Sequence, residues 1–182
     1  MGIFSSDDQQ TAIHEAGHAV AHCRLNIRQA YVSIESEVIA DDEGNLLGVT
    51  HGRSIAEGVE HVYNQVQAGD QVLAYYAGYA ALLAAGYREK DASLGAEDDF
   101  ALAGYLVDYW QIGEESEWKK KAKLLMRNEA NVAAVSRVSE ELLLERRLVM
   151  NQVHALIDVA DGRIAEDEYQ GIKQALWKRQ HP

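Results

Sequence analysis

The stretch "TAIHEAGHAVAH", residues 11–22, decides how this chain is read. His14, His18 and His22 recur at every fourth position, which puts them on one stripe of an α-helix, and Glu15 follows the first. The residues around them are small: Ala12, Ala16, Gly17, Ala19 and Ala21. Glycine inside a helix costs about 1 kcal/mol relative to alanine. Gly17 therefore implies that another element approaches this helix closely. Upstream, Ser5 to Asp8 offer a hydroxyl cap and then carboxylates for the first turn, so the helix is predicted to run from there to about Leu25.

On such a helix the imidazoles of His14 and His18 lie one turn apart and can converge on one ion, in the H-E-x-x-H arrangement. Zinc takes neutral imidazoles and, in a catalytic site, keeps one position open for water, whose pKa it can bring to about 7. Glu15 sits about 100° round the axis from His14. It is placed to take a proton from that water and pass it to a leaving amine, not to ligate. His14 and His18 are thus candidate zinc ligands and Glu15 the candidate general base. His22 lies another turn on, about 12 Å along the axis from His14. One ion cannot bind all three on a straight helix, so His22 is expected beside the site and not among its ligands.

The 182 residues suffice for one domain with a substantial core, and 47% hydrophobic with 25% charged residues is an ordinary globular composition. A net charge of −12 argues against nucleic acid or an anionic membrane as partner, since both require clustered Lys and Arg. The lone cysteine, Cys23, permits no internal disulfide and fits a reducing cytosol. "MGIFSSDDQQ" has neither the basic nor the apolar region of a signal peptide. The most apolar run, "VLAYYAGYAALLAAG" from Val72 to Gly86, falls short of the roughly twenty residues of a membrane span. The expectation is a cytoplasmic protein without a membrane span.

Alternation in "AYVSIESEV" predicts a strand, "ADDEGN" a turn and "LLGVTHG" a second strand, together a hairpin. Ser54 and Glu57 match a capping box opening the next helix, and Asp70 to Gly86 reads as a buried helix. A further helix is predicted from about Ser93. Long helical segments follow, from Glu114 to about Asn131 and from about Val135 to Ala160, and "DGRIAEDEY" opens a short last helix. The one proline, Pro182, interrupts none of them. The fold class is mainly α with a small β hairpin. It reads as one domain over 1–182, with a zinc-site part of about 1–112 and a C-terminal helical part of about 113–182.

A catalytic zinc needs a third protein ligand, and "SLGAEDDF" supplies Glu97, Asp98 and Asp99 on one predicted helix. They point about 100° apart, so only one can face the metal well. Asp99 shares a stripe with Ala103, Leu106 and Trp110, whereas Asp98 shares one with Leu102 and Tyr105, so periodicity does not choose between them. His51, after the second strand, is a weaker candidate as a transition-state donor. Tyr75, Tyr76 and Tyr79 have the spacing of core residues.

Several of these phrases together resemble the FtsH-type zinc peptidases. "AIHEAGHAVAH" is similar to that family's zinc helix, "LGVT" to a strand after it, and "VLAYYAGYAALLAAG" to the helix leading to the third ligand. "LGAEDDFALA" resembles the family's Gly-Ala-x-Asn-Asp phrase, and the C-terminal "AKLLMRNEANVAAVSRVSEELL" and "DGRIAEDEY" resemble its tail. The resemblance implies a helical FtsH-peptidase-like domain with Zn2+ held by His14, His18 and Asp99. It implies a cleft flanked by the strand at Leu47, Gly48 and Val49, on which an extended peptide adds. The implied activity is hydrolysis of peptide bonds in peptides or unfolded segments. FtsH-type domains form rings, so a homo-oligomer is also implied. The chain departs from the family at "GYAAL", where Gly-Arg-x-Ala-Glu is usual, and at Asp98, where asparagine is usual. It has no Gly-Lys-Thr or Gly-Lys-Ser phrase of an ATPase, so an ATP-independent, stand-alone peptidase is expected. Two alternatives are a non-catalytic zinc domain that binds or regulates a partner, and a peptidase dedicated to one partner. The intact Glu15 speaks against the former.

Overall fold

The first long helix, α1 (Ser6–Arg24), opens on Asp7 and Asp8 and closes on Arg24, charges that suit the two ends of its dipole. From Ala12 onward it is buried almost all round, from Ala12 itself through His14 to His22. A helix without a solvent face must lie at the centre of a fold, and α1 packs on α2, α6 and the sheet. The structure, a computed structural model, describes residues 6–40, 46–56 and 62–180, with the backbone alone for 36–40, 46–56 and 179–180.

After α1 come β1 (Gln29–Ala40), β2 (Leu46–Ala56), α2 (Gln65–Ala84), α3 (Glu89–Ser93) and α4 (Glu97–Trp110). The C-terminal part adds α5 (Glu115–Arg127), α6 (Glu129–Glu145), β3 (Arg147–Val149), α7 (Met150–Ala160) and α8 (Glu166–Gln180). The fold is mainly α with one small antiparallel sheet, in the order β2-β1-β3. The hairpin pairs Val38 with Val49 and Glu37 with Thr50, and β3 pairs Val32 with Leu148. Val32, Ile34 and Leu148 are buried against the helices.

Four boundaries correct the sequence reading. Ser54 does not cap a helix: it lies in β2 opposite Val32, and Glu57 falls outside the described residues. The cap is Asn64, whose side chain accepts from the Gln67 N–H, so α2 begins five residues before Asp70. The helix expected from about Ser93 begins at Glu97 as α4; Ser93 instead ends the short α3, and between them lies Gly95, whose φ of +81° glycine adopts without strain. The segment expected to reach Asn131 ends at Arg127, and Asn128 then caps α6 through the Ala130 N–H. The next predicted helix, from about Val135 to Ala160, is likewise interrupted: α6 ends with Arg146 as its C-cap, which takes φ +63°, and β3 follows. The Arg146 guanidinium meets Asp8 at 2.9 Å and the Ile34 carbonyl at 3.2 Å, and its own carbonyl accepts from the Ile34 N–H at 2.8 Å. These bonds offset the cost of a left-handed arginine and send the chain into the sheet edge.

Arg24 joins α1 to the C-terminal part. Its guanidinium makes two 2.7 Å bonds to Asp161, and its Nε donates to Asn131 of α6 at 2.8 Å. Among the described residues no helix is long and apolar enough to cross a membrane.

Candidate metal centre

Helices α1 and α2 cross at glycine. A Cβ on Gly17 would lie 2.7 Å from both the Ala77 carbonyl oxygen and the Ala81 Cβ, and 3.0 Å from the Gly78 Cα. A Cβ on Gly78 would lie 2.6 Å from His18 Nε2 and 2.8 Å from His14 Nε2. Gly17 thus brings the two backbones together, and Gly78 leaves room for the imidazoles between them. The close approach that the helix-interior glycine implied is made by α2.

Helix α2 also orients one ring. The Nδ1–H of His18 donates to the Ala74 carbonyl at 2.8 Å, which leaves Nε2 to face His14 and Asp99. That nitrogen lies 3.0 Å from His14 Nε2 and 3.2 Å from Asp99 Oδ2, and His14 Nε2 lies 3.1 Å from the same oxygen. Four donors placed tetrahedrally about zinc at 2.0–2.1 Å are about 3.3 Å apart. Three donors 3.0–3.2 Å apart, two of them imidazole and one carboxylate, therefore fit a zinc ion. A backbone bond fixing the second nitrogen of a ligand histidine is the usual outer support of such sites.

Asp99 stands in the first turn of α4, and the exposure of that helix resolves the ambiguity of periodicity. Ala103 and Val107 are buried, and Leu106 and Trp110 partly so. Leu102 and Tyr105, on the stripe of Asp98, are exposed. Asp98 and Glu97 are exposed too and do not join the group formed by His14, His18 and Asp99.

Glu15 is only 6% exposed, and burial pushes its carboxyl above the usual range against the opposing pull of His14 and His18. Burial disfavours a charged His18 as well, but the Asp99 carboxylate outweighs it and raises His18 to about 9. Asp99 is likewise disfavoured as an anion by burial, and the two histidines more than reverse this, holding it well below the usual carboxylate range. His22 is buried outside the group, and burial lowers it to about 3, so it is a neutral ring.

The other sequence candidates fall as follows. Leu47, Gly48 and Val49 lie in β2, an outer strand of the sheet bonded to β1 on one side. His51 is in the same strand, opposite Ser36, and its side chain lies outside the described residues. Tyr76 and Tyr79 are core, with hydroxyls donating to Glu115 at 2.9 Å and Glu89 at 2.5 Å. Half-buried Tyr75 hydrogen-bonds Gln71 and feels the charge of Asp99. In "GYAAL", where the resembled family has arginine and glutamate, Tyr79 and Leu82 pack with Ala92 and Ala96 in a small apolar cluster. Two contributors had gone unread: Gly78 and the Ala74 carbonyl. A glycine inside a buried helix was the available signal for the first, and a carbonyl leaves none for the second.

Neither a protein-family model nor a curated protein matches this chain.

Proposed function

We propose that this chain is a zinc-dependent, ATP-independent peptidase of the FtsH type that hydrolyses peptides and unfolded protein segments. One observation carries the reading: His14, His18 and Asp99, from two separate helices, bring their donor atoms within 3.0–3.2 Å of one another with buried Glu15 beside them. These three residues would hold the ion. Bound zinc supplies a Lewis acid that acidifies water and polarises a carbonyl.

The chain's own residues do the rest. Glu15 holds a proton more readily than an exposed glutamate, because burial disfavours its charge. It suits a group that accepts a proton from attacking water and returns it to the leaving nitrogen. A purely structural metal site has no use for such a carboxylate, and this favours catalysis over a non-catalytic zinc domain. The Ala74 carbonyl holds His18 in one orientation, and the α1–α2 crossing at Gly17 and Gly78 keeps both imidazoles registered. The outer edge of β2 at Leu47 to Val49 would take an extended peptide by main-chain hydrogen bonds. Recognition through backbone favours unfolded segments and gives weak sequence preference.

The test is cleavage of a fluorescently labelled unstructured polypeptide. Activity is expected with purified zinc-loaded protein, to vanish on chelation and to return with zinc. Cleavage that persists after complete removal of the metal would refute the reading.

A further inference from the structure

Helix α4 has a second face. Asp98, Leu102, Tyr105 and Tyr109 follow one another at helical spacing on the side turned away from the core. Leu102 is 47% exposed, Tyr105 62% and Tyr109 66%. The two tyrosine rings stack with centroids 5.8 Å apart, which makes one continuous apolar surface of them. The Gln65 amide donates to the Trp110 carbonyl at 3.0 Å and ties the first turn of α2, with exposed Val66, to the far end of this helix. Large apolar side chains grouped on a free helix face mark a contact surface.

The charge carried by this stretch of the chain has one sign. From Leu94 to Glu117 the chain contains no Lys or Arg, and its carboxylates are Glu97, Asp98, Asp99, Asp108, Glu114, Glu115 and Glu117. Asp98 stands at one end of the stripe. At the other, a cavity of about 720 Å³ is lined by Asp108, Gln111, Glu114, Glu115 and Ser116, with Lys119 on its wall. Lys119 is engaged there, 3.5 Å from Glu115 and with its ammonium over the Phe100 ring. A second copy of this chain fits such a surface poorly, since two α4 helices face to face would oppose carboxylate to carboxylate. A cationic partner fits at both ends.

We propose that this face of α4 binds polypeptide segments that combine aromatic or large aliphatic residues with Lys or Arg, the apolar side chains on Leu102, Tyr105 and Tyr109 and a cationic one in the acidic cavity. The inference rests on the peptidase reading only for the fate of what binds. Because Asp99 stands in the first turn of α4, a segment held along it leads towards the metal centre. The stripe from Asp98 to Tyr109 is about 16 Å long at 1.5 Å per residue. That is the reach of about five residues of extended chain. The face would thereby add a preference for basic, apolar segments to the weak selectivity of strand addition.

The test measures fluorescence anisotropy with the full-length Glu15→Gln protein, which separates binding from turnover. Three labelled, unstructured peptides are compared: one with aromatic residues and lysines, one with the same aromatics and glutamates, and one with lysines and serines. The first should bind at least about tenfold tighter than either other. Tyr105→Ser with Tyr109→Ser should weaken it by about tenfold, and Tyr105→Phe with Tyr109→Phe should preserve it. Asp98→Asn with Asp108→Asn should weaken it by about threefold and reduce its salt dependence. Equal binding of the three peptides, or indifference to the serine pair, would overturn the proposal. So would a serine pair that changed only the sedimentation of the protein, because the face would then be an interface between copies. Selective binding without cleavage by the zinc-loaded parent would count against the peptidase reading and leave the surface standing. Cleavage without selective binding would count against the surface alone.

Discussion

Gly78→Ala is the smallest change that strikes the candidate metal centre without touching a ligand. The added methyl would lie 2.6 Å from His18 Nε2, 2.7 Å from His14 Cε1 and 2.8 Å from His14 Nε2. The shortest is about 0.8 Å inside the 3.4 Å at which ordinary contact begins, so ligand rings or backbone must move by about that amount. Metal–ligand distances tolerate only about ±0.2 Å. Zinc affinity should therefore fall by about 100-fold, the upper end of what displaced supporting groups cost. Folding stability should change less. Overpacking costs about 1–3 kcal/mol, and replacing a helix-interior glycine returns up to about 1 kcal/mol. The assay is competition for zinc against a chromophoric chelator, with a melting curve on the same sample. Gly171→Ala on α8, where an added methyl meets nothing within 4 Å, is the control and should leave zinc binding unchanged. Parent-like zinc affinity in a folded Gly78→Ala protein would refute the placement of the imidazoles against α2.

Asp99→Ala should weaken zinc binding by at least about 100-fold, while Asp98→Ala and His22→Ala keep most of it; titrating the three under the same conditions checks this. In zinc-stripped protein His18 titrates near 9 and must lose its proton to bind metal. Apparent zinc affinity, read in metal-buffered solutions, should therefore rise about tenfold per pH unit from pH 7 and level off above about pH 9. Arg24→Ala removes two bonds to Asp161 and one to Asn131, and should cost about 2 kcal/mol, seen as a Tm lowered by about 4–8 °C. Arg24 holds the Asp161 carboxyl below its usual range, so this difference should be full above about pH 4 and shrink as the pH falls further.

The parts of the fold that could be read in advance are those where one physical requirement dominates. His14, Glu15 and His18 could be placed together on a helix because two candidate ligands and a candidate base at that spacing require one, and the small residues around them require a crowded one. Asp99 was not separable from Asp98 by period alone. The distinction came from which side of α4 meets α2, a tertiary fact that leaves Leu102 and Tyr105 in solvent. Strand β3 was hidden for a different reason. The helical pattern runs through Arg146 without interruption, and the break depends on bonds from Arg146 to Asp8 and Ile34, more than a hundred residues away. Two other misplaced boundaries had local signals. Asn128 is a good helix cap, and Gly95 suits the left-handed turn between α3 and α4. The match of Ser54 and Glu57 to a capping box was outweighed by pairing, because a strand opposite Val32 satisfies the backbone at Ser54.

The central claim is that His14, His18 and Asp99 hold a catalytic zinc for which Glu15 is the base. The most direct measurement is the rate of cleavage of an unstructured polypeptide by zinc-loaded Glu15→Gln protein beside zinc-loaded parent, with metal content determined in both. Glutamine keeps the shape and cannot take the proton, so the variant should retain its zinc and lose about 10²- to 10⁴-fold in rate. A variant that cleaves at the parent rate, or one that loses the metal along with the activity, would contradict the account.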